Sequence, residues 1–204
     1  ELTKYGYPFI FAGLAYWIFG SMDRWMLGYL TSIEEVGIYS VAFRFASIVL
    51  FVSLAFGQAW SPIAMKIRSD YPNDYQTIFG EVLLLLLFVM ICVGGTIGIF
   101  SGEILALIML PEFYKSAIPL AILSFGIIFQ STQQITGVGI SIEKKTYLFS
   151  WIAWITAILN LIMNWFLIPK YGAVGAAFST LISYFILTSL YLYFTQKLHP
   201  VYKA

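Results

Sequence analysis

The sequence predicts an all-α membrane protein, a polytopic bundle of six transmembrane helices. Three observations carry that prediction. First, 60% of the 204 residues are hydrophobic, 19% aromatic and only 10% charged, against about 25% charged in a soluble domain. So little charge cannot cover a surface in water, whereas lipid needs no such cover. Second, apolar stretches of span length, roughly 20 residues, recur six times, near residues 7–30, 36–65, 78–100, 117–140, 147–168 and 173–194. Third, turn and charge signals separate them: TSIEE, KIRSDYPNDY, SGEILALIMLPEFYK, SIEKK, PKYG and the tail QKLHPVYKA.

The first span has Gly6, Gly13 and Gly20 at every seventh position, followed by the charged pair Asp23 and Arg24. The second is too long for one straight crossing, and Pro62 near its end predicts a kink or an exit along the membrane surface. On it Gly37, Ser40, Arg44, Ser47, Phe51, Leu54, Gln58 and Ser61 share one face, at alternating spacings of three and four residues. Lipid would leave such a polar stripe unpaired. We read it as the wall of a polar cavity, with a helix–helix seam as the alternative.

The third span repeats glycine at Gly94, Gly98 and Gly102, and carries Glu81 near its inner end. The EILALIML stretch that follows is too short to cross and is expected in or near the interface. The fourth span concentrates Gln130, Ser131, Thr132, Gln133, Gln134 and Thr136, too polar a patch for helix glue alone. Thr156, Asn160 and Asn164 line one face of the fifth, where hydrogen bonds between helices suffice to explain the asparagines. The sixth has small residues at Gly172, Gly175, Ala176, Ser179 and Ser183. Small-residue stripes let backbones approach in lipid, so Gly13, Gly20, Gly94, Gly98, Gly175, Asn160 and Asn164 are assigned to helix packing.

Six spans put both termini on one side. That side has Lys4, Lys66, Arg68, Lys144, Lys145, Lys197 and Lys203, while the other has Lys115 and Lys170. The bias predicts cytoplasmic termini and a cytoplasmic loop at Glu143–Thr146. By helix rise, Asp23 and Arg44 both lie roughly 10–12 Å below the outer surface on neighbouring antiparallel helices. Pairing them would offset the burial of both charges and leave Arg24 free to attract an anion. A static pair that only locks the hairpin is the alternative.

The net charge of +1 offers no field for nucleic acid. Cys92 is the only cysteine, so no internal disulfide forms, and His199 is a lone tail histidine without a ligand group around it. No catalytic constellation occurs: there is no HExxH, GxSxG, P-loop or cysteine pair. Neither an enzyme, a cofactor nor a metal is expected. The first residue is Glu1 rather than Met, and we read it as a cut inside a longer protein.

The order of short motifs resembles a known family. SMDRWMLGYLTSIEEVGIYSVAFRFA at Ser21–Ala46, QAWSPIAMK at Gln58–Lys66, LPEFYKSAIPL at Leu110–Leu120, the EKKT loop and LNLIMNWFLIPKYGAVGAAFSTLISY at Leu159–Tyr184 are similar to the polysaccharide exporters. These are the O-antigen and lipid-linked oligosaccharide flippases (Wzx-like) of the multidrug/oligosaccharidyl-lipid/polysaccharide flippase superfamily. The resemblance covers residues 1–204 and implies the C-terminal lobe of a fold of 12 to 14 helices, with two lobes around a central cavity. It implies export of undecaprenyl-diphosphate-linked repeat units by alternating access, for O-antigen, capsule or exopolysaccharide synthesis in a bacterial or archaeal plasma membrane. The implied partners are membrane lipids, the lipid-linked glycan and a missing N-terminal lobe. Arg24, Arg44, Ser40, Ser47, Gln58, Gln130, Gln133 and Gln134 become the candidate cavity residues, with Asp23 and Arg44 as a coupling or ion pair. A drug or small-solute exporter of the same superfamily is the alternative, and a polytopic glycosyl- or acyltransferase a more distant one.

Overall fold

A computed structural model describes residues 2–142 and 145–198. His199, Lys203, Glu143 and Lys144 lie outside the described residues. All regular structure among the described residues is helical: α1 (Leu2–Leu30), α2 (Ile33–Asp70), α3 (Tyr75–Ile99), α4 (Ser101–Ile108), α5 (Ala117–Ser131), α6 (Gln133–Ile142) and α7 (Tyr147–Leu198), with a 3₁₀ turn at Pro111–Ser116 before α5. Four segments are long and apolar enough to cross a membrane: Ile33–Asp70, Tyr75–Ile99, Pro111–Ile142 and Tyr147–Lys197. The chain is a multi-pass, all-α membrane protein. α1 has the length, at 29 residues, but Asp23, Arg24 and its glycines dilute its apolar content.

Local chemistry sets the helix ends. Ser32 caps α2 by accepting the Glu35 N–H, and Glu34 and Glu35 face the positive end of the helix dipole. α2 then runs unbroken for 38 residues, with Pro62 carried inside it. That is about 57 Å, well beyond a bilayer core. The expected fourth span is instead two helices, because the chain leaves regular helix at Thr132. The Phe129 C=O there accepts the Thr132 N–H at 3.2 Å, the Thr132 hydroxyl at 2.9 Å and the Thr188 hydroxyl at 2.7 Å. In lipid a broken helix is tolerated only where side chains satisfy its backbone in this way.

α7 is a hairpin rather than one rod. Gly172 adopts φ 53°, ψ −132°, a conformation that favours glycine, three residues after Pro169. The two arms, residues 147–171 and 173–198, fold back on each other: Leu148 and Ile152 pack with Leu187 and Tyr191. A side chain at Gly175 would collide with the Leu167 carbonyl of the other arm.

One end of the bundle is tied by polar contacts. Ala173 N–H donates to Glu35 Oε2 at 2.6 Å, and Lys115 Nζ lies 3.2 Å from Glu34 Oε1. This gathers the start of α2, the 3₁₀ turn and the α7 bend. Lys115 and Lys170 sit at that end, while Lys66, Arg68, Lys145 and Lys197 belong to the helix ends opposite.

The glycine assignments divide. A methyl at Gly94 would come 2.8 Å from Ile128 Cγ1 and 3.2 Å from Val49 Cγ1; at Gly98 it would come 3.3 Å from the Phe125 ring. Those glycines seat α3 against α2 and α5. Gly13 and Gly20, in contrast, have nothing within 4 Å and are exposed. The packed face of α1 is Ala12, Ala15, Phe19, Asp23 and Leu27, spaced by three and four residues. Alanine already allows close approach to Ala153 and Ala157 of α7, so the glycine stripe is left facing outward.

Candidate functional site

Asp23 is the most enclosed charge-bearing residue, 4% exposed. α1 presents it on its packed face, beside both arms of α7 and the first turns of α2. Its Oδ1 accepts from Asn164 Nδ2 at 2.7 Å, and its Oδ2 accepts from Thr180 Oγ1 at 2.8 Å and from the Tyr39 hydroxyl. Asn164 Nδ2 also reaches Asn160 Oδ1 at 3.1 Å. The asparagines assigned to packing therefore do more than join helices: Asn164 holds the carboxyl group. Asn160 Nδ2 and Asn164 Oδ1 are buried without a hydrogen-bond partner among the described residues. Three neutral donors hold Asp23, and among the described residues no cation is ion-paired with it. A proton gained at this carboxyl would turn one of its oxygens from acceptor into donor, a change the Tyr39 and Thr180 hydroxyls can meet by accepting and the Asn164 N–H cannot.

The expected Asp23–Arg44 ion pair is absent. Among the described residues the one ion pair is Lys115–Glu34. Tyr39 occupies the place beside Asp23, and Arg44 follows it by five residues, about 140° further around α2. Arg44 is exposed. Arg24 turns away from its neighbour Asp23, as the helix rotation requires. Its guanidinium lies over the Phe43 ring, 4.9 Å from the centroid, and its buried Nε has no partner among the described residues. Arg24, Trp25, Gly28 and Tyr29 line a groove of about 440 Å³.

The polar stripe of α2 lies on the face the chain does not pack. Ile38, Tyr39, Ala42, Ala46, Val49 and Ser53 are buried against the rest of the bundle. Arg44, Gln58 and Ser61 are exposed, while Ser40 and Ser47 are half-buried. The stripe is therefore not a seam between helices of this chain.

Toward the other end of the stripe, α5 and α6 present Gln130, Gln133 and Gln134 to a pocket of about 350 Å³, shared with Tyr16, Leu54, Gly57, Ser61, Gly137, Ser141 and Phe149. Gln133 Nε2 donates to the Tyr16 hydroxyl at 2.5 Å and the Tyr191 hydroxyl at 3.1 Å, and the two hydroxyls are 3.1 Å apart. Gln134 Nε2 lies 3.4 Å from Ser53 Oγ. The carbonyl oxygens of Gln130 and Gln133 are buried and unpaired among the described residues. A side chain at Gly57 would displace the Gln134 carboxamide from its present position.

The structure thus brings Gln130, Gln133 and Gln134 together and leaves Ser40, Arg44, Ser47 and Gln58 on one open face. Sequence reasoning missed Tyr39, Thr180, Tyr16 and Tyr191. Tyr39 lies within the quoted EVGIYS motif and Thr180 beside Ser179 of the small-residue face, but spacing along one helix does not reveal a partner on another. Among the described residues no cluster of His, Cys, Asp and Glu could hold a metal.

Residues 8–166 match the MatE family. A capsular polysaccharide biosynthesis protein of Staphylococcus aureus is 30% identical over 74% of this chain and 39% of its own length. An uncharacterized membrane protein of Methanocaldococcus jannaschii is 27% identical over 97% of this chain and 39% of its own. A probable low-salt glycan biosynthesis flippase of Haloferax volcanii is 25% identical, again over 97% of this chain and 42% of its own. The chain thus spans about two fifths of the length of these relatives. No solved structure matches it.

Proposed function

The chain belongs to the MatE family, and on that premise we propose that it is one half of a flippase that moves a lipid-linked oligosaccharide across a prokaryotic plasma membrane by alternating access. One observation carries the proposal: the polar face of α2, with Arg44 in its N-terminal half, is turned away from the chain's own core. A stripe of charge, hydroxyls and carboxamide is untenable against hydrocarbon. It needs water and a second wall, and the missing lobe of a two-lobed exporter would supply both. Arg24 and Arg44 are the cations in position for a diphosphate, since a guanidinium binds phosphate through two parallel hydrogen bonds. The Asp23 centre, where α1, α2 and both α7 arms meet, is our candidate for coupling: a change of protonation there would alter how the helices are held together. Residues Lys66, Arg68, Lys145 and Lys197 are assigned to the cytoplasmic side. The motif resemblance and the two relatives named for glycan or polysaccharide biosynthesis support the choice of a glycan-bearing lipid over a drug.

The full-length protein, reconstituted in liposomes with a fluorescent short-chain lipid-linked oligosaccharide, tests this. Translocation of the labelled lipid to the far leaflet is expected, with reductions in Arg24→Ala and Arg44→Ala. Efflux of cationic dyes without lipid translocation would replace the proposal with a drug exporter. A single cysteine at residue 145 should resist an impermeant thiol reagent in intact cells, whereas one at Lys115 should react.

A further inference from the structure

We infer that the pocket at the α5–α6 break is a subsite for the hydroxyl groups of a neutral sugar, separate from the arginines that would hold phosphate. The inference rests on the flippase reading and assigns part of the substrate to particular residues. Its lining carries no charged side chain; its polar groups are carboxamides and hydroxyls. A phosphate would find no cation there, and a cationic drug no carboxylate. Sugars instead present many O–H donors and apolar C–H faces, matched by amide acceptors and by the rings of Tyr16 and Phe149.

The acceptors are held ready. The Gln133 amide nitrogen donates toward Tyr16 and Tyr191, which fixes the amide and leaves its carbonyl oxygen unpaired. The Gln130 carbonyl is unpaired as well. Two buried acceptors without donors are unfavourable unless something arrives to donate. The volume, about 350 Å³, is at the lower end of small-ligand sites, about 300–1,000 Å³. Tyr16 and Arg24 are eight residues apart on α1, about 12 Å along the axis. One substrate can therefore place its diphosphate at the arginines and its first sugars at the glutamines.

The test uses full-length protein in lipid nanodiscs and two probes: a short-chain polyprenyl diphosphate carrying one N-acetylhexosamine, and the same lipid without sugar. The wild type should bind the sugar-bearing lipid more tightly. Gln130→Leu and Gln133→Met should each weaken that binding about two- to tenfold, the size of one net hydrogen bond, and leave the sugar-free lipid unchanged. The Gln130 side-chain carbonyl accepts no hydrogen bond among the described residues, so its variant is expected to fold. Equal binding of both lipids by the wild type would overturn the sugar subsite and leave the flippase reading standing. So would unchanged binding of the sugar-bearing lipid in both variants, or equal losses for the two lipids. Failure of the wild type to bind either lipid would remove the flippase reading and the subsite with it.

Discussion

Two polar centres lie about two helical turns apart along α1, and they are finished to different degrees. At Asp23, four helical segments converge and each carboxyl oxygen is engaged, the orphan atoms being Asn160 Nδ2 and Asn164 Oδ1 of the surrounding asparagines. At the pocket, the Gln133 amide nitrogen is engaged by Tyr16 and Tyr191, but the side-chain carbonyl oxygens of Gln130 and Gln133 have no hydrogen-bond partner among the described residues. A polar group that a chain satisfies by itself holds that chain's helices together. A polar group positioned and left open, on the same side as an unpacked polar stripe, awaits something from outside. Under the proposed function, the difference separates the residues that hold this chain's helices together from those that would meet a substrate and a second lobe.

The comparison breaks most directly at Asp23. Asp23→Leu leaves Tyr39, Asn164 and Thr180 buried without their acceptor, at about 1–3 kcal/mol per unsatisfied group. Loss of folded protein is expected, read as yield and monodispersity in detergent. Asp23→Asn keeps the shape and most of the hydrogen bonding, so it should fold yet lose transport by about tenfold or more, equivalent to ~1.4 kcal/mol. Full transport by Asp23→Asn would reduce the centre to a structural clamp. The exchange of Asp23→Arg with Arg44→Asp should not restore folding, because Arg44 is not opposite Asp23. Recovery of folded protein in the exchanged pair would mean the two residues meet in another state of the transport cycle.

A smaller effect sharpens the contrast along α2. Single cysteines at Ser40, Ser47 and Gln58 in the full-length protein should react with small water-soluble reagents. Cysteines at Ala42, Ala46 and Val49, which are buried in this half, should not. Equal reactivity would mean that the open face is not selectively wet.

The smallest effects belong to the glycines. Gly94→Ala puts a methyl into contact with Ile128 and Val49 and should lower thermal stability, at about 1–3 kcal/mol for an overpacked site. Gly13→Ala and Gly20→Ala meet open space and should leave the melting temperature unchanged or slightly raised, because alanine is the better helix former. A loss at Gly13 equal to that at Gly94 would place a partner against the outer face of α1.

Much of this was legible in the chain. The polar stripe of α2 emerges from a three–four spacing, and the structure leaves that face open. The patch at residues 130–136 announced a polar place on the fourth segment, though not that the helix breaks at Thr132 or that Thr188 repairs the break. The reversal between the fifth and sixth segments follows from Pro169 and Gly172, which no single helix tolerates together. The intended partner of Asp23 was misjudged because two charges at equal depth look like a pair in one dimension. Side-chain direction within a helix turn, not depth, selected Tyr39 instead.

The sequence by itself determined the lipid solvent, the all-α class and the polar face of α2. These depend on composition and on a period of 3.6 residues, which are local properties. Only the tertiary structure decided which faces meet. Alanines rather than glycines seat α1 on α7, three neutral donors rather than an arginine hold Asp23, and two tyrosines pin Gln133 with its carbonyl left free. Each of those outcomes depends on residues separated by up to 175 positions in the chain. Their proximity is a property of how the helices pack in three dimensions, and periodicity along one helix has no information about it.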